Sequence, residues 1–153
     1  MKPEETLRSL GLALPPTPAA VALYLPSFRS GNLVFTSGQL PLKDGSLASK
    51  GKVGESATLD QAREQARIAC LNALAACLLQ VPSLDHIQKI VKMGVYVASH
   101  PNFTEQHLVA NGASELLIQI FGEQGKHARF AIGVSSLPLD AVVELELVAE
   151  VRD

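Results

Sequence analysis

From Ile68 to Gln80 the chain carries no charged side chain, and that stretch completes a helix whose start is written just upstream. Thr58-Leu59-Asp60-Gln61 is a capping box: the threonine hydroxyl can accept from an early helical N–H while Gln61 reaches back to the cap. Charge is confined to the first turns, at Asp60, Arg63, Glu64 and Arg67, and Pro82 sets the limit the helix cannot pass. A helix that is apolar on most sides over its second half cannot lie on a solvated surface. It has to be buried, by its own sheet or by another subunit. The spacing therefore predicts a helix from Thr58 to about Gln80 inside a layered domain. Charged residues make up only 18% of the 153-residue chain, against about 25% in soluble domains generally. That deficit agrees with some surface being covered, including by copies of the same chain.

The remaining periodicities complete one α+β domain. Pro3–Leu10 can form a short helix, followed by the extended Pro15-Pro16-Thr17-Pro18 stretch. Residues 20–36 read as two strands around the turn Ser30-Gly31-Asn32. Residues 42–57 are polar and glycine-punctuated, a surface loop or hairpin. Residues 90–98 alternate as a strand, with Val91, Met93, Val95 and Val97 on one face and Lys92, Gly94 and Tyr96 on the other. Pro101-Asn102-Phe103 opens a second helix, capped by Asn102 or Thr104, which Gly122 stops. Two strands follow. In the first, Ala128, Phe130, Ile132 and Val134 share one face, and His127, Arg129, Ala131 and Gly133 share the other. In the second, Val143, Leu145, Leu147, Ala149 and Val151 oppose Glu144, Glu146 and Glu150. Two helices then cover one face of a mixed sheet. The other face is expected to carry Arg129, Ala131, Gly133, Val142, Glu144, Glu146 and Val148.

Composition narrows the function classes. A formal net charge of −2 provides no electrostatic footprint for nucleic acid or an anionic membrane. The longest strictly apolar run, Ala73–Leu79, is far below the ~18 residues of a membrane span. The N-terminus has acids where a signal peptide would need an apolar core, so a cytoplasmic, reduced setting is expected. Cys70 and Cys77 lie seven apart in one helix, roughly 10 Å at ~1.5 Å per residue, too far for a mutual disulfide, and read as small core residues. His86, His100, His107 and His127 show no ligand spacing, and HExxH, G-x-S-x-G, P-loop and GxGxxG patterns are all absent. No metal site is expected.

Arg129 stands out because its strand otherwise holds no charge. A guanidinium among small residues has room beside it for a ligand, and its fork matches a carboxylate bidentately. It could equally pair with a strand glutamate or snorkel at a sheet edge. If the last two strands pair about Pro138-Leu139, Glu144 lies opposite Gly133. At ~3.3 Å per residue that is some 13 Å from Arg129, so the two can share a site only if a neighbouring chain brings them together.

Three blocks of sequence are similar to the Rid (reactive intermediate deaminase) family, also called YjgF or L-PSP. Ser30-Gly31-Asn32-Leu33-Val34-Phe35-Thr36-Ser37-Gly38-Gln39-Leu40-Pro41 resembles its "GN-hydrophobic-TSGQ-x-P" strand, and Asn102-Phe103 leading to Asn111 its second-helix motif. Ala128-Arg129-Phe130 through Ser136-Leu137-Pro138 to Val143-Glu144-Leu145-Glu146 resembles its C-terminal "AR…LP…VEIE" signature. The resemblance implies a single chorismate-mutase-like two-layer domain over 1–153, with 1–18 as an N-terminal extension, and a homotrimer with clefts between subunits. It implies hydrolysis of enamine and imine intermediates such as 2-aminoacrylate to 2-keto acids and ammonia, without metal or cofactor. By the same resemblance Arg129 matches the carboxylate-binding arginine and Glu144 the acidic residue beside the attacking water. Tyr24 matches the cleft tyrosine, Ser37 the serine of TSGQ and Asn111 the helix asparagine. The chain departs from the pattern at His127, where the typical member has proline, at Gly112-Ala113-Ser114, and in longer segments at the N-terminus, at 42–57 and between Asn111 and Arg129. Two other readings stay open: a non-catalytic protein that binds or senses a small carboxylate metabolite, and a ribonuclease or translation inhibitor, which the −2 charge and the lack of a basic stripe disfavour.

Overall fold

The computed structural model describes residues 1–19 and 23–153, so the portion of the first expected strand region that falls on 20–22 lies outside the described residues. The elements are α1 (Pro3–Ser9), β1 (Ser27–Ser30), β2 (Leu33–Thr36), α2 (Leu59–Cys77), β3 (Ile87–Ala98), α3 (Gln106–Phe121), β4 (Ala128–Val134) and β5 (Val143–Val151), with 3-10 turns at Leu84–His86, Gly122–Gly125 and Pro138–Asp140. Among the described residues no helix is long and apolar enough to cross a membrane.

The capping box forms as its chemistry dictates: Gln61 N–H donates to Thr58 Oγ1 at 3.1 Å, and Thr58 N–H donates to Gln61 Oε1 at 2.9 Å. Helix α2 then buries Ala69, Cys70, Ala73, Leu74, Ala75, Ala76 and Cys77 completely, and both cysteines are free thiols. Burial drives the Cys77 thiol up to about 12 and Cys70 higher still, so neither is a nucleophile. Within the charge-free run Asn72 donates to the carbonyls of Leu40 and Leu42, both at 2.9 Å, and pins the loop after β2 onto the helix.

The five strands lie in the order β1-β2-β5-β3-β4, all antiparallel neighbours except the parallel β3–β4 pair joined through α3. Helices α2 and α3 pack on one face only. Three expectations change here. β4 and β5 are not a hairpin, because β3 lies between them. A hairpin would leave β3, the longest strand, with an unpaired edge; insertion satisfies its backbone groups on both sides. In β3 a register irregularity between Ile90 and Lys92 puts Ile90, rather than Val91, in the buried row with Met93, Val95 and Val97. Helix α3 starts later than expected, at Gln106 with Glu105 as N-cap and no side-chain cap bond, so neither Asn102 nor Thr104 caps it. Gly122, at φ 61°, ends it as expected.

The uncovered face differs as well. Register places Arg129 beside Met93 and Ala131 beside Val95, and those partners point into the core under the helices. Arg129 therefore faces the helix layer, and Val142 is fully buried. The open face carries Glu144, Glu146 and Val148 as expected, together with Phe130, Ile132 and Tyr96 in place of Arg129, Ala131 and Val142. A strand at the sheet edge has only partial cover on either side, so no residue of β4 is fully buried and its apolar row is free to face outward.

Candidate functional site

Arg129 projects from β4 beneath α3, where His107, Asn111 and Ser114 follow one another at i, i+4 and i+7 on a single helical face. Its Nη1 donates to Asn111 Oδ1 at 2.8 Å and to Ser114 Oγ at 2.9 Å, and its Nη2 donates to the His107 carbonyl at 3.1 Å. These bonds use three of the five guanidinium donors. Nε–H and one Nη2–H have no protein partner among the described residues, and these two nitrogens span one edge of the fork. Arg129 makes no ion pair among the described residues; the bridges that form are Arg29–Asp153, Arg63–Glu115 and Lys126–Glu123. The helix thus aims the guanidinium through neutral acceptors and leaves its charge uncompensated, an arrangement suited to an anion.

A second chain of contacts stands behind it. Ser114 Oγ lies 2.9 Å from His127 Nε2, and His127 Nδ1 lies 2.6 Å from the Gly125 carbonyl. Burial, with the Arg129 and Lys89 charges adding to it, holds the His127 pKa below the ordinary histidine value. Neither Ser114 nor the His107 carbonyl was among the residues expected from sequence. The available signal was spacing: Ser114 is one helical turn beyond Asn111, and His127 shares the strand face of Arg129.

Glu144 sits on β5 opposite Tyr96, on the open face. Its carboxylate lies against Gly38, where an added Cβ would come within 2.9 Å of Cδ and 3.1 Å of Cγ. A side chain at this position would push the Glu144 carboxylate out of its present place. Burial first, and the neighbouring Glu146 second, push the Glu144 pKa above the usual glutamate value. Glu146 in turn accepts from the Tyr96 hydroxyl at 3.2 Å. Ser37 is tied back into its own segment: its hydroxyl donates to the Leu25 carbonyl at 2.5 Å and its N–H to the Pro26 carbonyl at 2.8 Å. Tyr24, next to that segment, is exposed and lines a cleft of about 320 Å³ with Pro15, Pro16, Gly38, Gln39 and Leu42.

The expected site residues therefore fall into two groups. Arg129 and Asn111 meet at the β4 edge, on the helix side. Glu144, Ser37 and Tyr24 lie around Gly38, just beyond β2, with Glu144 on the open face. Glu144 is level with Tyr96, Tyr96 with Ile132, and Ile132 is three residues beyond Arg129. Two strand spacings and three residues make the backbone separation about 14 Å, and the two side chains leave opposite faces. Within one chain they do not form one site. Among the described residues no group of three or more His, Cys, Asp or Glu could hold a metal ion.

Five strands in this order, two helices on one face and an arginine presented unpaired at the sheet edge define a chorismate-mutase-like α+β protein. Residues 4–151 match the family described as "YjgF/chorismate mutase-like, putative endoribonuclease", and the chain belongs to that family. It is 38% identical over 148 residues to Protein TCP17 of Trypanosoma cruzi, covering 96% of this chain and 92% of that one. Among solved structures, Atu1372 of Agrobacterium tumefaciens, a protein of unknown function, matches with a TM-score of 0.91 and 40% identity over 99% of this chain and 94% of its own. E. coli TdcF with bound serine matches with a TM-score of 0.63 and 25% identity over 90% of this chain and 94% of its own.

Proposed function

We propose that the protein hydrolyses small carboxylate-bearing enamines and imines of the 2-aminoacrylate type to 2-keto acids and ammonia. It does so as a homotrimer of one 1–153 domain, with 1–18 as an extension and the clefts between subunits. The observation that carries this reading is the Arg129 guanidinium, fixed by neutral acceptors on α3 with Nε–H and one Nη2–H left over. That edge takes both oxygens of a carboxylate and presents the adjacent C=N carbon in one orientation. The family relative TdcF, solved with serine bound, is a carboxylate-binding precedent.

The chemistry asks little of the protein. An enamine first takes a proton from water at its methylene carbon and becomes the protonated imine. Water adds to the imine carbon while Glu144 takes one of its protons; the carbinolamine nitrogen then receives that proton, and as the C–N bond breaks the hydroxyl proton passes to the Glu144 carboxylate, so ammonia leaves and the carbonyl forms. A carboxyl whose pKa is raised by burial and by Glu146 is a stronger base than an ordinary surface glutamate, and its acid form is the group that returns the proton. Because Arg129 and Glu144 are about 14 Å apart on opposite faces, the acid has to come from a neighbouring chain. The open sheet face supports that assembly. Phe28 pairs with Phe35 and Phe35 with Val148, and Phe28, Phe35 and Ile132 are 58%, 42% and 46% exposed. Phe28, Phe35 and Val148 form an apolar row across β1, β2 and β5, and Ile132 is a separate exposed apolar residue on β4; exposed apolar surface of this kind favours an interface. Tyr24, Ser37 and Asn111 complete the substrate-binding set in this reading: Asn111 by holding Arg129, and Ser37 by bracing the segment beside Tyr24.

Keto acid and ammonia release from enzymatically generated 2-aminoacrylate tests the proposal. Arg129→Ala is expected to lower kcat/KM by ~100-fold or more, the effect of losing a charged, orienting contact. Equal rates in wild type and Arg129→Ala would overturn it. Arg129-dependent binding of 2-oxobutanoate with no turnover of any imine would replace it with the non-catalytic binding reading.

A further inference from the structure

The Gly125 carbonyl can only accept, so the 2.6 Å contact requires His127 to carry its proton on Nδ1. In the neutral ring, Nε2 is then a bare acceptor, and the hydroxyl 2.9 Å away on Ser114 has to donate to it. Once the single Ser114 proton is committed, the lone pairs of Oγ are left for Arg129 Nη1–H, 2.9 Å on the other side. A threefold choice of hydroxyl rotamer is reduced to one by a backbone carbonyl two bonds further back. We infer that Gly125, His127 and Ser114 form a positioning relay that locks the Arg129 guanidinium, with His127 fixed as the Nδ1–H tautomer. This rests on the reading of Arg129 as the carboxylate-holding residue for its functional meaning, but the relay itself is a property of the unliganded protein. Nothing in the imine chemistry requires His127, which contacts no reacting atom; it acts through Ser114.

Protonation would break the relay. A charged imidazole donates from both nitrogens, so Ser114 would receive hydrogen bonds from both His127 and Arg129, and its own proton would lose its acceptor. The charged groups around the ring oppose that state. Arg129 on β4 and Lys89 on β3 are cations that lower the His127 pKa alongside burial. On the 3-10 turn Glu123 is paired with Lys126, and on α3 Glu115 is paired with Arg63. The relay is therefore intact at neutral pH and opens only on the acid side of the ordinary histidine range.

The test starts without ligand. ¹⁵N NMR of His127 should show a protonated Nδ1 and an unprotonated Nε2 at pH 7, and the Arg129 Nη1–H signals should be individually resolved. An Nε2–H tautomer would overturn the inference outright. His127→Asn keeps an N–H for Gly125 but cannot reach Ser114, so the Nη1–H signals should average and 2-oxobutanoate affinity should fall about 5-fold, the effect of one hydrogen bond. His127→Gln places an amide oxygen near the Nε2 position and should recover most of that loss. In wild type the affinity should drop on acidification below the ordinary histidine range, and His127→Gln should lose this limb. Ser114→Ala combined with His127→Asn should be no weaker than Ser114→Ala alone. His127→Asn with wild-type Arg129 signals, or full additivity in the double variant, would refute the relay. Wild-type affinity in Arg129→Ala would instead sink the carboxylate reading, while the NMR outcome would still decide the relay.

Discussion

Replacing Gly112 by alanine adds one methyl group at the place where α3 crosses α2. That methyl would collide with the Arg63 carbonyl oxygen and lie 3.0 Å from its carbon and 3.2 Å from Arg63 Cα. Carbon atoms rest at about 3.5–4.0 Å, so α3 has to retreat by roughly 0.5–1 Å. The atoms met are backbone in the second turn of α2, and no side-chain rotation relieves the clash. Overpacking of this kind costs about 1–3 kcal/mol, against which alanine returns about 0.5–1 kcal/mol of helix preference over glycine. The net destabilisation is about 0–2.5 kcal/mol, or a Tm lower by up to roughly 10 °C for a chain of this size. Function should suffer more than stability. His107, Asn111 and Ser114 ride on the displaced helix, and their bonds of 2.8–3.1 Å to Arg129 have little slack. A misplacement near 1 Å is enough to lower catalysis by about 100-fold. Thermal melts beside titration with 2-oxobutanoate check both halves. An unchanged or raised Tm together with wild-type affinity would refute the claim that the α2–α3 crossing sets the position of the arginine.

Two further perturbations probe other links. Glu144 binds its proton more tightly folded than unfolded, so its ionised form subtracts stability as pH rises through the ordinary glutamate range, and the penalty is complete once pH passes the raised folded value. Glu144→Gln should therefore melt above wild type at pH 7, with the difference closing toward about pH 4, while turnover of 2-aminoacrylate is lost; a variant that melts lower at pH 7 would contradict this. Leu139, a residue 65% exposed, sits at φ 60° and ψ 17°, a left-handed conformation that costs a leucine about 1 kcal/mol or more. Leu139→Gly should raise Tm by a degree or two and Leu139→Val should lower it, and the same sign for both would show that backbone strain is not what that position feels.

Where the controlling interactions are local, the sequence alone was decisive. The Thr58 box and the charge-free run to Gln80 specify α2, though it closes at Cys77 and turns to Gln80 through i→i+3 bonds. Gly122 ends α3, and strict alternation from Val143 to Val151 settles which side of β5 is core. Asn111 and Arg129 were legible as site candidates because the family motif marks both. Tertiary structure decided the rest. Period-two alternation says which residues share a face, but not which face of a half-covered edge strand meets the helices; that depended on β3, not β5, being the neighbour of β4. The same choice turned Arg129 under α3 and away from Glu144. It also made Ser114 and His127 its supports, because a hydroxyl and an imidazole thirteen residues apart become partners only once the helix and the strand are packed.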